Sequence, residues 1–122
     1  MSNAQQAIDE MLPMITEFLG MLGMSDNGKI DFEKALKPFS EWVSSQEVSN
    51  DNFSYLASRV AAFICHYYVQ KSGARIGVIN DSIHLTLPMG EEVMQSIDPY
   101  FFAVAVANKK MTLTQAIEAN VS

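Results

Sequence analysis

Residues 73–88 constrain the fold of this chain more than any other segment, because they carry the pattern of a β-hairpin. The dipeptide Asn80-Asp81 suits a tight loop, and apolar residues alternate with other residues on both sides of it. A loop at this dipeptide puts a set of apolar side chains on one face of the ribbon: Ala74, Ile76, Val78, Ile83, Leu85 and Leu87. The opposite face then pairs Ile79 with Ser82, Gly77 with His84 and Arg75 with Thr86. Since turn chemistry and alternation agree on one register, the sequence predicts strands at about 74–79 and 82–87.

Length and composition favour a single domain over residues 1–122. Of the 122 residues, 48% are hydrophobic and 18% are charged, which is enough to build a core and argues against disorder. The longest apolar runs, such as residues 100–107, are far shorter than the roughly 20 residues that a bilayer requires, and Asp9 and Glu10 argue against a secretory leader. The single cysteine, Cys65, leaves no internal disulfide and fits a reducing compartment. We therefore expect a cytoplasmic protein that does not bind membranes.

Apolar residues at helical spacing surround the hairpin, so the expected fold class is α+β, with about five helices packed on one two-stranded antiparallel hairpin. The chain should be mainly helical over residues 1–72 and again over 89–120. The predicted helices cover residues 4–23, 31–43, 51–71, 91–96, 100–110 and 112–120. Pro13 should kink or divide the first of them, and Pro38 should bend the second. The run at 100–107 could alternatively form a buried strand.

Local signals mark several helix ends. Asp31 and Asp98 stand where an N-cap is expected, and Pro99 follows Asp98 at the first helical position. Gly73 stands where a helix C-cap is expected. Residues 112–115 have the spacing of a capping box. These signals predict where four of the helices begin or end.

The net charge of −6 is unevenly distributed along the chain. Residues 1–52 carry nine acidic and three basic residues, whereas residues 53–122 carry five of each. Such a field repels phosphate backbones, so we expect no binding to nucleic acid. It favours a basic partner, although a solvated acidic face would give the same count.

No residue pattern predicts an active site. Cys65 and His66 are adjacent, yet successive helical side chains diverge by about 100°, so they cannot form a nucleophile and base pair. One cysteine and two histidines at no ligand spacing do not predict a zinc site. The chain also lacks the phosphate-loop, dinucleotide and nucleophile-elbow motifs. We expect no catalytic activity, no cofactor and no metal.

Residues 25–33 resemble the middle of an EF-hand calcium loop, with Gly28 at the sixth loop position. That alignment puts Gly23 and Lys34 at the first and twelfth positions, where the EF-hand family uses carboxylates. The sequence therefore predicts a turn in this segment, followed by Asp31 as the N-cap of the next helix.

Two surfaces are candidates for binding another protein. The first is formed by acidic residues of the N-terminal part, which would face a basic partner. The second is the outer face of the hairpin, which carries a charged side chain, an imidazole and a hydroxyl. It lies beside strand edges that could accept a strand of the partner. The candidate residues are Asp9, Glu10, Glu17, Asp26, Asp31, Glu33, Glu41, Arg75, Ile79, His84 and Thr86. The sequence leaves open whether the chain is a monomer or a homodimer.

Small size, acidic charge, a lone cysteine and a helix–hairpin–helix layout over residues 51–118 resemble the small acidic immunity proteins of bacteria. That resemblance implies a non-enzymatic protein that binds and neutralises a cognate toxin, whose basic substrate cleft the acidic residues would face. No diagnostic motif is shared, so the resemblance assigns no functional residue.

Two other functions fit the sequence. A secretion chaperone or adaptor could hold an exposed segment of another protein with its Met-rich first helix, which carries Met11, Met14 and Met21, and with the apolar stripe of the second helix. A small-ligand pocket beneath the hairpin would need Tyr67, Tyr68 and His84 to line one cavity.

Overall fold

The computed structural model describes residues 3–23, 25–26, 29–49, 51–79, 82–90 and 93–118. Its helices are α1 (Asn3–Met21), α2 (Phe32–Ser45), α3 (Phe53–Ser72), α4 (Pro99–Ala107) and α5 (Leu113–Glu118). Its strands are β1 (Ser25–Asp26), β2 (Lys29–Ile30), β3 (Arg75–Ile79), β4 (Ser82–Gly90) and β5 (Val93–Ile97). Strands β3, β4 and β5 form an antiparallel sheet with β4 in the centre, which confirms the predicted α+β class.

Helix α3 lies at the centre of the fold, because its sequence is apolar on several sides and packs on both other long helices and on the sheet. Every residue from Val60 to Cys65 is buried. The helix ends at Gly73, whose φ of 68° is a left-handed conformation that glycine adopts without strain. The N–H of Ala74 donates to the carbonyl of Tyr68 at 3.2 Å, which completes the C-cap and leads the chain into β3.

The register between β3 and β4 is the predicted one. Arg75 pairs with Thr86, Ile76 with Leu85, Gly77 with His84, Val78 with Ile83 and Ile79 with Ser82. The side chains of Ile83, Leu85 and Leu87 are buried, as the alternation requires. The loop residues Asn80 and Asp81 lie outside the described residues.

The predicted helix at 91–96 is wrong, because Val93–Ile97 is the third strand of the sheet. Strand β4 continues to Gly90, beyond the predicted end at Leu87, and offers β5 a free edge of backbone donors and acceptors. Ile97 pairs with Leu85 and is buried with it. The antiparallel ladder and this apolar contact outweigh the helical tendency of a segment that is too short to be stable as an isolated helix.

Strands β1 and β2 form a second, very short antiparallel pair where the sequence predicted a loop. Ser25 pairs with Ile30 and Asp26 with Lys29. The connecting dipeptide Asn27-Gly28 lies outside the described residues, but it is the sequence signal most typical of a two-residue hairpin. Gln70 of α3 anchors this segment: its Nε2 donates to the carbonyl of Ile30 at 2.8 Å, and its Oε1 accepts from the N–H of Phe32 at 2.7 Å.

Proline divides neither of the first two helices. Pro13 lies within α1 and Pro38 within α2, and both are exposed. A proline ring on the solvent side of a helix removes one backbone hydrogen bond without disturbing the packed face. Both helices therefore continue through their prolines.

The C-terminal helices begin at their predicted caps. Asp98 Oδ1 accepts from the N–H groups of Tyr100 and Phe101, so residues 100–107 are helical and the alternative strand is excluded. Thr112 and Gln115 exchange the two hydrogen bonds of a capping box. Lys109 follows α4, and its Nζ donates to the carbonyls of Val43 and Ser44 and so caps the C-terminal end of α2.

One apolar core contains residues from all five helices, β2, β4 and β5. Its centre is a stack of Phe39 on Phe63, with ring centroids 4.7 Å apart and an interplanar angle of 11°. Tyr68 is also fully buried, and its hydroxyl donates to the carbonyl of Ile117 at 2.7 Å, which connects α3 to α5. Over the described ranges, no helix has both the length and the apolarity needed to cross a bilayer.

Candidate protein-binding surfaces

Three of the predicted binding residues, Arg75, His84 and Thr86, lie together on the sheet. We define the outer sheet face as Arg75, Gly77, His84, Thr86 and Ser96. The ladder places Arg75, Thr86 and Ser96 in one row across the three strands, and Gly77 and His84 in the next. Arg75, Gly77 and Ser96 are exposed, and the other two are half-buried. Since the buried residues of β4 point to the helices, this face of the sheet is open to solvent.

The side chains on the outer sheet face are polar, and the glycine at position 77 leaves space beside the His84 imidazole. His84 Nδ1 and Ser96 Oγ share a hydrogen bond at 3.3 Å. Sequence analysis missed Ser96, because it assigned that segment to a helix. Ile79 pairs with Ser82 in the ladder, but its side chain lies outside the described part of the structure. The arrangement offers hydrogen-bond donors and acceptors to a partner.

The predicted acidic residues lie along the segment from α1 to α2. The exposed ones are Glu10, Glu17, Asp31, Glu33 and Glu41. Asp9 belongs to α1 and Asp26 to β1, and their side chains lie outside the described part. Helices α1 and α2 are adjacent, because the Phe18 ring contacts the Trp42 ring edge-on at 4.8 Å.

Asp31 and Glu33 are engaged within the chain. Asp31 caps α2, with Oδ1 accepting from the N–H groups of Glu33 and Lys34. An ion pair joins Lys71 Nζ to Glu33 Oε1 at 3.5 Å, with both side chains exposed. The same ammonium donates to the Tyr67 hydroxyl at 3.1 Å, and this hydrogen bond is the main cause that raises the pKa of Lys71. An exposed pair of this kind neutralises one carboxylate and adds little stability.

Arg59 of α3 packs against aromatic rings of α1 and α3. Its guanidinium carbon lies 3.2 Å from the centre of the Tyr55 ring and 5.2 Å from that of Phe18. Burial against these rings lowers the pKa of Arg59, and its Nε has no hydrogen-bond partner within the described residues. The positive charge is therefore held by cation–π contacts.

The residues considered for chemistry do not converge. Cys65 and Tyr68 are buried in the core, whereas His84 lies on the opposite side of the sheet. The His66 ring stacks on Phe32, with centroids 4.9 Å apart and planes 3° apart. Within the described residues, no group of three or more His, Cys, Asp or Glu side chains could hold a metal ion. The pocket considered beneath the hairpin has no support, because Tyr67 and Tyr68 pack in the core away from His84.

We expect Cys65 to be unreactive in the folded protein. Burial raises the pKa of its thiol to about 12, so the thiolate is scarce at neutral pH and the sulfur is also inaccessible. A maleimide reagent at pH 8 should label the native chain far more slowly than the chain in denaturant, as followed by mass spectrometry. Equal rates in both states would show that the core around α3 opens readily.

The apolar surfaces that an adaptor would use for binding are partly buried in the core of the domain. The stripe of α2 packs in the core through Phe32, Ala35, Phe39 and Val43. In α1, Met14 is half-buried and Met21 is 85% exposed. Among the described side chains of α1 and α2, the large apolar one that is exposed is Met21, at the end of α1.

An apolar stripe on α4 was not predicted. Phe101 is 68% exposed and Val104 is 38% exposed, and residues three apart lie on the same side of a helix. Helix α4 contains no charged residue, so the usual polar outer face is missing. The sequence signal was the unbroken apolar run at 100–107, for which the sequence predicted a helix or, alternatively, a buried strand.

A shallow open groove of about 370 Å³ lies between α2 and α5. It is lined by Lys37, Ser40, Glu41, Ser44, Thr112 and Thr114. Thr112 already accepts a hydrogen bond in the capping box, and the groove is too open to exclude water from a small ligand.

Comparisons with protein-family profiles, curated proteins and solved structures found no match to this chain. The fold therefore defines it at the level of class, as an α+β domain whose antiparallel sheet is covered by helices on one face.

Proposed function

We propose that this chain is a non-enzymatic protein-binding domain that binds a basic protein through carboxylates of helices α1 and α2. The observation that carries the proposal is the set of exposed carboxylates on these helices and the loop after them. Glu17, Glu41, Glu47 and Asp51 are exposed and make no ion pair with another described residue. A solvated acidic surface could have the same composition, but here the acids are concentrated in one part of the chain.

The basic residues that follow α2 leave the net negative charge of residues 1–52 largely in place. Arg59 packs on aromatic rings and Lys109 caps α2, so neither forms an ion pair with the acidic residues among the described contacts. Lys71 neutralises Glu33 alone. The remaining negative field can therefore accelerate encounter with a basic partner and orient it before short-range contacts form.

The kind of partner we propose is the basic substrate cleft of a toxin, which the domain would block as an immunity protein does. Carboxylates that occupy such a cleft compete with a phosphate substrate, so inhibition requires no catalysis by the inhibitor. The open outer sheet face, with Arg75 and His84, offers a second polar contact area for the same partner.

An adaptor function is the second candidate, and one observation favours it. Met21 and Leu22 at the end of α1 are 85% and 40% exposed, which is unusual for adjacent large apolar side chains. Binding through these residues would depend little on salt, whereas binding through carboxylates would weaken as ionic strength rises.

Single charge reversals test the proposed function. We expect Glu17→Lys and Glu41→Lys each to weaken capture of a basic partner from the lysate of the source organism by about tenfold, since each replaces attraction with repulsion. The readout is the amount of partner retained by the tagged chain at low salt, identified by mass spectrometry.

Glu118→Lys is the matched control, because it makes the same change in net charge at an exposed residue of α5. The control should retain the partner. Equal losses in all three variants would indicate a non-specific effect of net charge, and no loss in the α1 and α2 variants would reject the acidic surface as the binding site.

A further inference from the structure

Helix α4 has the composition of a helix that is covered on all sides, yet one side is exposed. Its nine residues, Pro99–Ala107, include no charge, and α3 covers one side of it. Phe101, Val104 and the half-buried Ala105 remain at the surface. An exposed apolar stripe on a helix without charged residues is a candidate interaction site.

We propose that this stripe binds the α4 helix of a second copy of the chain, in an antiparallel arrangement about a two-fold axis. The partner is inferred from the charges at the two ends of the stripe. Asp98 precedes the helix, and the exposed Lys110 follows it. In an antiparallel pair, each Asp98 lies beside Lys110 of the other copy, so both ends are complementary at once.

Both charged side chains are able to make this contact. The hydrogen bonds of Asp98 to the start of α4 use Oδ1, which leaves Oδ2 to accept from a lysine. Lys109 is held by the carbonyls at the end of α2, but no described contact involves the Lys110 ammonium. A parallel pair would instead bring like charges together at both ends.

The pairing also fixes which residue lies on the symmetry axis. If residue 98 faces residue 110, the midpoint of the paired segments is Val104. The two Val104 side chains would then contact each other, and each Phe101 would cover the C-terminal half of the other α4. A two-fold interface of this form closes on itself and stops at a dimer. The proposed dimer is independent of the proposed function, because its interface includes neither α1 nor α2.

Light scattering coupled to size-exclusion chromatography tests the dimer with a matched pair of variants. Val104 and Val48 are 38% and 39% exposed, but only Val104 lies on α4. We expect the wild-type chain and Val48→Glu to form a dimer as concentration rises into the micromolar range, and Val104→Glu to weaken it at least about tenfold. A wild-type chain that stays monomeric throughout this range, or equal behaviour of both variants, would overturn the proposal.

Disulfide trapping tests the orientation of the two helices. Under oxidation we expect Val104→Cys to form a covalent dimer, because the two positions meet at the axis. Two Asn108→Cys positions would lie about 12 Å apart along the helices, beyond the roughly 4.4–6.8 Å between Cα atoms that a disulfide allows. Buried Cys65 should not interfere. Cross-linking at both positions would indicate that the two α4 helices are parallel, and it would reject the antiparallel pairing of Asp98 with Lys110.

Lys110→Glu tests the charge complementarity by itself. The change is at an exposed residue outside α4, so the fold should be retained while Asp98 of the other copy is repelled. We expect the dimer to weaken about tenfold, with part of the loss recovered at high salt. An unchanged dimer would show that these charges do not select the antiparallel arrangement.

Discussion

Phe63→Ala is expected to lower the free energy of unfolding by about 3–5 kcal/mol, a large part of the roughly 5–15 kcal/mol typical of a domain. Phe63 is fully buried, stacks on Phe39 at 4.7 Å and meets the edge of Phe32 at 5.3 Å. Removing the ring leaves a cavity between α2 and α3 that the surrounding side chains can fill only partly. Urea denaturation followed by circular dichroism measures the change.

Phe101→Ala is the matched control, because it deletes the same ring from a site that is 68% exposed. At a protein concentration low enough to keep the chain monomeric, it should change the free energy of unfolding by less than about 1 kcal/mol. Similar losses for the two variants would mean that the stacked rings are not the centre of the core.

Leu85→Lys should be at least as damaging, with a loss of about 4 kcal/mol or more. Leu85 is fully buried and pairs with Ile76 on one side and Ile97 on the other. A lysine there would either bury an unpaired ammonium or force the sheet away from the helices. Thermal and urea unfolding would show the loss, and an unfolded chain at room temperature would be consistent with it.

His84→Lys is the matched control, because it also introduces a lysine, one residue earlier in β4 and on the outer sheet face. Its cost should stay below about 1 kcal/mol, since it gives up a hydrogen bond to Ser96 but leaves the charge in water. If the His84 variant were the less stable of the two, the strand would be in the other register, because a shift of one residue exchanges the faces.

The hairpin register could be predicted because local and long-range preferences agree there. The turn dipeptide limits the pairing, and the alternation of Ile83, Leu85 and Leu87 allows only one face to be buried. Asp31, Asp98 and Gly73 were equally predictable, because each satisfies a helix end by local chemistry.

Strand β5 could not be predicted in the same way, because its structure depends on a neighbour. Val93–Ile97 has no strict alternation that would separate a strand from a short helix, and only the free edge of β4 decides between them. The β1–β2 pair was missed for a different reason: Asn27-Gly28 was interpreted within a calcium-loop comparison, although this dipeptide is itself a hairpin signal.

The candidate surfaces were predictable only in part. Alternation placed Arg75, His84 and Thr86 on one face, and the charge count identified the acidic segment. The exposure of Phe101 and Val104 was not predictable, because an apolar run gives no indication of which side the fold leaves uncovered. That information depends on how α4 packs on α3.

The central claim, that α1 and α2 bind a basic protein through their carboxylates, is tested most directly by the association rate of the captured partner at increasing ionic strength. The account predicts that the rate for the wild-type chain falls steeply with salt, and that Glu17→Lys lowers it at low salt whereas Glu118→Lys does not. A rate that is insensitive to both salt and Glu17→Lys would contradict the claim and favour an apolar contact, with Met21 and Leu22 as the first residues to substitute.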